Sequence, residues 1–235
     1  MKKLIAMLLL AVPLSVSAFT VSSINPDTNK VAEWAGSIMV DIDAPGIMGT
    51  IDVIRSDGDL VWQAGDGGLY LSFFTGDYAT TSTTVVGTQT VYTASGGFVE
   101  FYANSFDAFS PHLDYASAVD VMDDGELFLS ADSEGDSFGL YSPLSYTSNG
   151  FLSVTGGSLA SVYDTDMFSS FTGGIADLTF NLSADNIHGS GVHADYDYSG
   201  SDDANSFYIE QIPTPAPVAM IGLGLLGLGV VRKLK

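Results

Sequence analysis

The stretch Ala176-Asp-Leu-Thr-Phe-Asn-Leu-Ser183 alternates strictly between apolar and polar residues. Successive side chains of a β-strand point to opposite faces of the sheet, so this pattern places one face on a core and the other in solvent. The same period of two recurs between turns from Trp34 to Ile212, and no segment in that range predicts a convincing helix. The sequence therefore predicts antiparallel β structure throughout its body.

Turn dipeptides separate the predicted strands. Asp57-Gly58 lies between Thr50–Arg55 and Leu60–Gln63 and predicts a hairpin, because both central residues of a type I′ turn need positive φ. Further predicted strands lie beside similar dipeptides, and these include Leu69–Phe74, Phe98–Tyr102, Ala118–Met122, Glu126–Ser130 and Phe151–Thr155 (bracketed by Asn149-Gly150 and Gly156-Gly157). Phe207–Ile212 is predicted as the last strand before the tail. About ten short strands of this kind predict an all-β fold, an antiparallel β-sandwich or jelly roll. A solenoid is the alternative, although the sequence has no repeat of constant period.

The segment from Thr80 to Ser95 holds seven threonines in 16 residues. It is interpreted either as a stalk or as a Thr-rich strand pair that turns at Gly87. The strand pair is favoured because threonine suits a pleated, half-exposed surface.

The N-terminus has the pattern of a secretory signal peptide. Lys2 and Lys3 precede the apolar run Leu4–Leu14, and small residues follow up to Ala18. This order predicts export through the Sec translocon and cleavage by signal peptidase after Ala18, so residues 1–18 are excluded from the fold. An uncleaved anchor is the alternative, but the run is too short to span a bilayer.

The C-terminus, residues 212–235, has three parts in a fixed order. A proline motif comes first, an apolar glycine-spaced run from Val218 to Val231 follows, and basic residues end the chain. The run has no amphipathic period, which favours lipid on every side over one face of a core. Its 14 residues are fewer than the roughly 20 that a spanning helix needs, so a C-terminal core helix is the alternative. Basic residues after the run favour a cytoplasmic end.

This tail resembles the sorting signal of PEP-CTERM proteins, the exosortase substrates of Gram-negative bacteria. The resemblance rests on the motif residues Pro213, Thr214, Pro215 and Pro217 and on the membrane stop Arg232, Lys233 and Lys235. Threonine stands where the family's motif has glutamate. Sortase and rhombosortase substrates share the order of parts, but this chain has neither Leu-Pro-x-Thr-Gly nor a Gly-Gly pair beside the helix. The resemblance implies an inner-membrane precursor that an exosortase-like protease processes and a mature protein at the cell surface or in an exopolysaccharide matrix.

The exported body, residues 19–211, is strongly acidic. It carries all 28 acidic residues against Lys30 and Arg55, a formal charge of −26. This surface repels phosphates, which excludes nucleic acid as a partner. The charge favours counterions, and we expect divalent cations or salt to stabilise the fold. The chain has no cysteine, which excludes disulfides and thiolate metal sites.

One acidic segment has the spacing of a Ca²⁺-binding loop. Oxygen ligands occupy positions 1, 3, 5 and 9 of an EF-hand-like pattern, with Gly200 at position 6: Asp195, Asp197, Ser199 and Asp203. Position 12 is Ser206 instead of glutamate, and no flanking helix is predicted. A solvated acidic loop is therefore the alternative to Ca²⁺ binding. Two shorter acidic stretches, Asp57–Asp59 and Asp132–Asp136, are explained by Asx turns.

Other functional signals are weaker. His188 and His193 could bind zinc, but no regular element aligns their imidazoles, and His112 is interpreted as a loop residue. No nucleophile elbow, zinc-protease motif or phosphate loop is present, so we expect no enzyme activity. Six aromatic residues are candidates for carbohydrate binding: Trp62, Tyr70, Tyr141, Tyr146, Tyr196 and Tyr198. Tyr196 and Tyr198 are favoured because they lie in a predicted polar loop, although core packing is the alternative for each ring.

Two function classes are consistent with these features. The first is a noncatalytic cell-surface or matrix protein that acts in a biofilm or in adhesion. The second is a secreted protein that binds or cleaves polysaccharide and uses the same sorting route.

Overall fold

The computed structural model describes residues 31–41, 46–56, 58–108, 114–170, 172–186 and 196–210. The predicted signal peptide, the sorting tail and all three histidines lie outside these ranges. The first eight strands are β1 (Val31–Asp41), β2 (Gly46–Ile51), β3 (Val53–Ser56), β4 (Asp59–Gln63), β5 (Tyr70–Gly76), β6 (Ala79–Val86), β7 (Gln89–Ser95) and β8 (Phe98–Asn104). The remaining elements are α1 (Tyr115–Met122), β9 (Glu126–Ser133), β10 (Ser137–Tyr141), β11 (Ser145–Gly156), α2 (Ala160–Tyr163), β12 (Phe168–Ser169), β13 (Ile175–Ala176), β14 (Leu178–Asn186) and β15 (Tyr198–Glu210).

Thirteen of these strands form one sheet in which every pairing is antiparallel. The order is β14-β15-β1-β2-β5-β8-β9-β11-β10-β7-β6, with β3 and β4 branching from β1. Because β14 also pairs with β11, the path from β14 to β11 closes into a ring. The predicted all-β antiparallel class is confirmed.

The main core fills the inside of this ring. Trp34 is fully buried at its centre, and its indole lies 5.5 Å from the ring of Phe101 and 5.4 Å from that of Tyr163, both edge to face. Aromatic pairs in this geometry add about 0.5–1.5 kcal/mol beyond the burial of their area. The inner face therefore draws its stability from rings contributed by distant parts of the chain.

A second, smaller core lies on the outer face of β1, β2, β5 and β8. Met39, Met48, Phe74 and Tyr102 pack there against Ala118 and Met122 of α1. These strands are apolar on both faces because one face meets the ring interior and the other meets the helix.

The predicted strand Ala118–Met122 is wrong, since these residues end α1. The alternation of valines with Asp120 favoured a strand, but Tyr115, Ala118, Val119 and Met122 also recur at helical spacing. The side chain of Asp114 accepts a hydrogen bond from the backbone N–H of Ser117 and caps the helix. The segment forms a helix and not a strand because the helix buries Ala118 and Met122 against the sheet.

The turn predicted at Asn149-Gly150 is also wrong, because both residues lie inside β11. Gly150 pairs with Phe180 of β14, and a Cβ atom at this position would lie 2.6 Å from the Ser137 hydroxyl and 2.8 Å from the Phe180 ring. Glycine is required here for close packing and not for a turn.

Other sequence predictions are confirmed. Ser56 pairs with Asp59 across the Asp57-Gly58 hairpin, and Gly58 has φ 85°. The Thr-rich segment is the hairpin β6–β7 and not a stalk, with Gly87 at the turn.

Candidate functional site

A cavity of about 220 Å³ lies at one end of the ring. Val40, Val99 and Phe207 line it from the inner face, while Tyr92 and Ala94 of β7 line it from the opposite side. The cavity exists because β10, β7 and β6 extend the sheet beyond the closed path and bring β7 opposite the ring interior.

Tyrosines form much of the cavity wall. The Tyr92 hydroxyl donates a hydrogen bond to the Tyr146 hydroxyl over 2.7 Å, and their rings stack with centroids 6.2 Å apart. The ring of Tyr141 lies 6.1 Å from that of Tyr92. Burial raises the pKa of Tyr92 and raises that of Tyr146 well above its usual value, so both hydroxyls stay neutral in ordinary buffers.

The Ser137 hydroxyl provides a polar group in this cavity wall. Ser137 is 2% exposed and lines the cavity, and its Oγ has no hydrogen-bond partner among the described residues. Leaving a buried hydroxyl unsatisfied costs about 1–3 kcal/mol, which a bound molecule with a hydrogen-bonding group would recover.

A second candidate site is a cluster of three carboxylates, those of Asp164, Asp166 and Asp177, and one oxygen atom from each lies within 4.8 Å of the other two. Carboxylate oxygens are the ligands that Ca²⁺ prefers. Asp164 and Asp166 are exposed, and Asp177 is 2% exposed. These residues could hold a cation between the exposed pair and the buried carboxylate.

Backbone amides hold the Asp177 carboxylate in place. Its Oδ1 accepts hydrogen bonds from the N–H groups of Thr165 and Asp166, each at 2.6 Å, and its Oδ2 accepts one from Val154 at 2.7 Å. These three donors fix the loop of residues 164–166 against β11. The arrangement has a structural function whether or not a cation binds.

Sequence reasoning missed this cluster. The alternating pattern placed Asp177 on the solvent face of its strand, but the residue lies in a bend between β13 and β14 and is buried. Asp164-x-Asp166 is a local signal for paired carboxylates, whereas nothing in the sequence brings Asp177 to it.

The predicted Ca²⁺ loop is largely strand. Tyr198 begins β15, Ser199 pairs with Met39 of β1, and Gly200, the residue expected to turn the loop, pairs with Ile38. The prediction of a loop is therefore wrong from Tyr198 onward, because pairing with β1 holds these residues in a strand despite the turn signal of Gly200. The backbone of Asp203 also belongs to β15, and Asp195 lies outside the described residues. Ca²⁺ binding by Asp195, Asp197, Ser199 and Asp203 stays a prediction.

The favoured aromatic residues for sugar binding are buried. Tyr196 is 2% and Tyr198 3% exposed, so the expectation that a polar loop presents them to solvent is wrong. The Tyr196 hydroxyl contacts the sulfur of Met48, and the Tyr198 hydroxyl donates a hydrogen bond to the Ser142 carbonyl at 2.8 Å. Of the other four rings, Trp62 and Tyr146 are buried, while Tyr70 and Tyr141 are half-buried.

The outer strand β6 forms an exposed edge. It pairs only with β7 among the described strands, and all eight of its residues are exposed. No charged residue occurs from Ala79 to Ser95. An uncharged open edge of this kind is a template for pairing with another strand.

Within the ranges that the structure covers, no helix combines the length and the apolar character needed to cross a bilayer. Comparisons with protein-family models, with curated proteins and with solved structures found no match to this chain.

Proposed function

We propose that this chain is an exported, noncatalytic protein of the Gram-negative cell surface or extracellular matrix. Residues 19–211 form its β domain, a sandwich in which opposite walls of the closed sheet face each other across the core. An exosortase-like protease acts on the tail while its short helix holds the precursor in the inner membrane. The mature protein acts in a biofilm or in adhesion, with exopolysaccharide as its surroundings.

The open edge of β6 is the observation that supports a role in assembly. In a body with a formal charge of −26, Ala79–Ser95 is an uncharged patch where another strand can approach with little local repulsion. Val85 and Val86 are 71% and 61% exposed there. A bulge at Thr81 interrupts the register, so the regular edge runs from Ser82 to Val86.

A lysine on this edge tests the role in assembly. We expect Val85→Lys to weaken self-association by about tenfold or more, because pairing edges would bring two ammonium groups together. The substitution reduces the net negative charge, so weaker association cannot come from global repulsion. Leu144→Lys is the matched control, since Leu144 is 78% exposed outside the hairpin. A monomeric wild-type protein at all concentrations in sedimentation would contradict the proposal.

The sorting route has a separate test. Mass spectrometry of the protein purified from its host, together with the cell fraction that holds it, gives the mature ends. We expect an N-terminus at Phe19 and a C-terminus near the motif Pro213–Pro217. A full-length chain in the cytosol would refute export.

Carbohydrate binding is the second candidate function, because Tyr70 and Tyr141 are only half-buried. A glycan array with Ca²⁺ and with chelator distinguishes it from a purely structural role. Tight binding to one defined sugar supports a secreted carbohydrate-binding or polysaccharide-acting protein.

A further inference from the structure

The cavity at the end of the ring has the size of a small cyclic molecule. Its volume is about 220 Å³. An apolar cavity of roughly 150 Å³ is known to hold benzene in another protein. This cavity therefore has room for one six-membered ring with a small substituent.

Most of the wall is apolar. Phe180, Leu182 and Phe207 line it together with Val40 and Val99, and all five are buried. Such walls make many close carbon contacts with a cyclic ligand, and these dispersion contacts are absent when the cavity is empty. The wall composition favours a compact hydrocarbon ring over a polar or extended ligand.

The wall also carries neutral hydroxyl groups. Ser137 offers one that has no partner within the described structure, and Tyr78 lies in the same wall. Burial raises the pKa of Tyr78, which keeps its hydroxyl protonated at neutral pH. Hydroxyls both donate and accept, so they suit one hydroxyl group on a ligand.

The charges of the lining residues disfavour an anionic ligand. Among the described residues that line the cavity, Asp41 is the one charged residue and none is basic. An anionic ligand would lose its hydration and meet no cation, which is costly. Thr80 and Thr83 are exposed and also line the cavity, so it reaches the surface beside β6.

We propose that this cavity is a binding site for an uncharged six-membered carbon ring that carries one hydroxyl group. The ring packs between Val99, Phe180 and Phe207, and its hydroxyl bonds with the Ser137 Oγ. The proposal does not rest on the export route or on pairing of the β6 edge with another strand, so its test can fail or succeed separately from theirs.

Titration calorimetry and NMR shifts of the folded full-length chain, with phenol as the probe, test the site. We expect saturable 1:1 binding of phenol, and binding of benzoate weaker by at least ~10-fold because benzoate is charged. Glucose, which is larger and polar over its whole rim, should not compete.

Ala94→Leu places a larger side chain in the cavity and should weaken phenol binding by at least ~10-fold. Val91→Leu is the matched control on the same strand, because Val91 is 42% exposed, and it should bind phenol as the wild type does.

Ser137→Ala gives a readout that does not depend on filling the cavity. It removes the unsatisfied hydroxyl, so we expect it to reduce the preference for phenol over benzene by about tenfold while benzene binding is retained. This variant also keeps the test decisive if Ala94→Leu fails to fold. Absence of saturable phenol binding, equal binding by a folded Ala94→Leu, or a high-resolution structure with ordered water only after phenol soaking would each overturn the proposal.

Discussion

The hydroxyl of Tyr92 in β7 donates a 2.7 Å hydrogen bond to the hydroxyl of Tyr146 in β11. The two residues are 54 positions apart in the chain, and β10 lies between their strands. The main chain of β7 is connected to the ring only indirectly, because β7 pairs with β10 and β10 pairs with β11. The tyrosine pair adds a direct side-chain link between the Thr-rich hairpin and the ring core.

This link predicts an energetic coupling. We expect Tyr92→Phe and Tyr146→Phe each to lower the free energy of unfolding by about 1–2 kcal/mol, because each leaves the other buried hydroxyl with one hydrogen bond fewer. The double variant should cost less than the sum of the two single variants. Chemical denaturation of the four proteins measures this coupling, and additive effects would show that the hydrogen bond contributes nothing.

Alkaline pH should destabilise the fold partly through Tyr115. Burial raises the pKa of Tyr115 from 10.0 to about 12, and the nearby carboxylate of Asp77 adds to the shift. The neutral form is favoured in the folded state, so this contribution is complete below pH 10 and is lost as pH rises from about 10 to about 12. Unfolding free energies measured across this window should fall with pH.

Tyr115→Phe is the variant that isolates this effect. It removes the titrating group and also the hydrogen bond that Tyr115 donates to the Thr75 carbonyl, so its stability at pH 7 should be lower. Its stability should nevertheless fall less steeply between pH 10 and 12. An identical slope in the two proteins would assign the alkaline loss to other groups.

Asp177→Asn should destabilise the protein by about 2–3 kcal/mol. The carboxylate accepts three backbone hydrogen bonds in a buried position, and an asparagine presents an NH₂ group where one oxygen accepted. Asp164→Asn is the matched control because Asp164 is exposed, and it should cost under about 0.5 kcal/mol in the absence of Ca²⁺. Thermal unfolding of both variants measures the difference, and equal losses would contradict a structural role of Asp177.

Divalent cations should raise the melting temperature of the wild-type protein. Its formal charge of −21 over the whole chain strains the compact state, and Ca²⁺ would reduce repulsion among the carboxylates. If Asp164, Asp166 and Asp177 bind the ion, Asp166→Asn should lower the Ca²⁺-dependent increment. Melting curves that do not shift with Ca²⁺ or with ionic strength would reject the expected stabilisation.

Gly139→Ala should cost about 1–3 kcal/mol through overpacking. An added Cβ atom would lie 2.4 Å from the Tyr92 hydroxyl and 2.4 Å from the Thr147 carbonyl oxygen, which is backbone and cannot rotate away. Gly156→Ala is the matched control, since among the described residues its Cβ would come within 4 Å of the Ser130 hydroxyl alone, at 2.9 Å. Equal stability of the two variants would show that the region beside Tyr92 relaxes.

Local patterns predicted those elements in which one interaction dominates. The pattern of Ala176–Ser183 predicted β14 from Leu178 onward because its apolar face meets the ring interior, although Ala176 lies in β13 and Asp177 in the bend before β14. Asp57-Gly58 predicted the correct hairpin because few residues tolerate its backbone angles. The same reasoning failed at Ala118–Met122 and at Asn149-Gly150. In both places a packing neighbour distant in sequence decided the structure, namely the outer core for α1 and Phe180 for Gly150.

The sites were less predictable than the strands. Tyr196 and Tyr198 looked exposed because polar residues surround them, but pairing of β15 with β1 and β14 brings Tyr198 into the main core and Tyr196 into the outer core. Asp177 occupied a polar position in a regular pattern, and only the bend before β14 turns its carboxylate toward three amides.

The all-β antiparallel class, the turns at Asp57-Gly58 and Gly87, and the acidic, cysteine-free character could be read from the chain alone, because they depend on residues within a few positions of one another or on composition. Three-dimensional packing was needed to show that β14 pairs with β11 to close the sheet, that α1 covers its outer face and that a tyrosine-walled cavity lies at one end. Those features require contacts between segments far apart in the chain. No local period specifies such contacts, since any alternating strand can pair with many others until the shared core selects its neighbours.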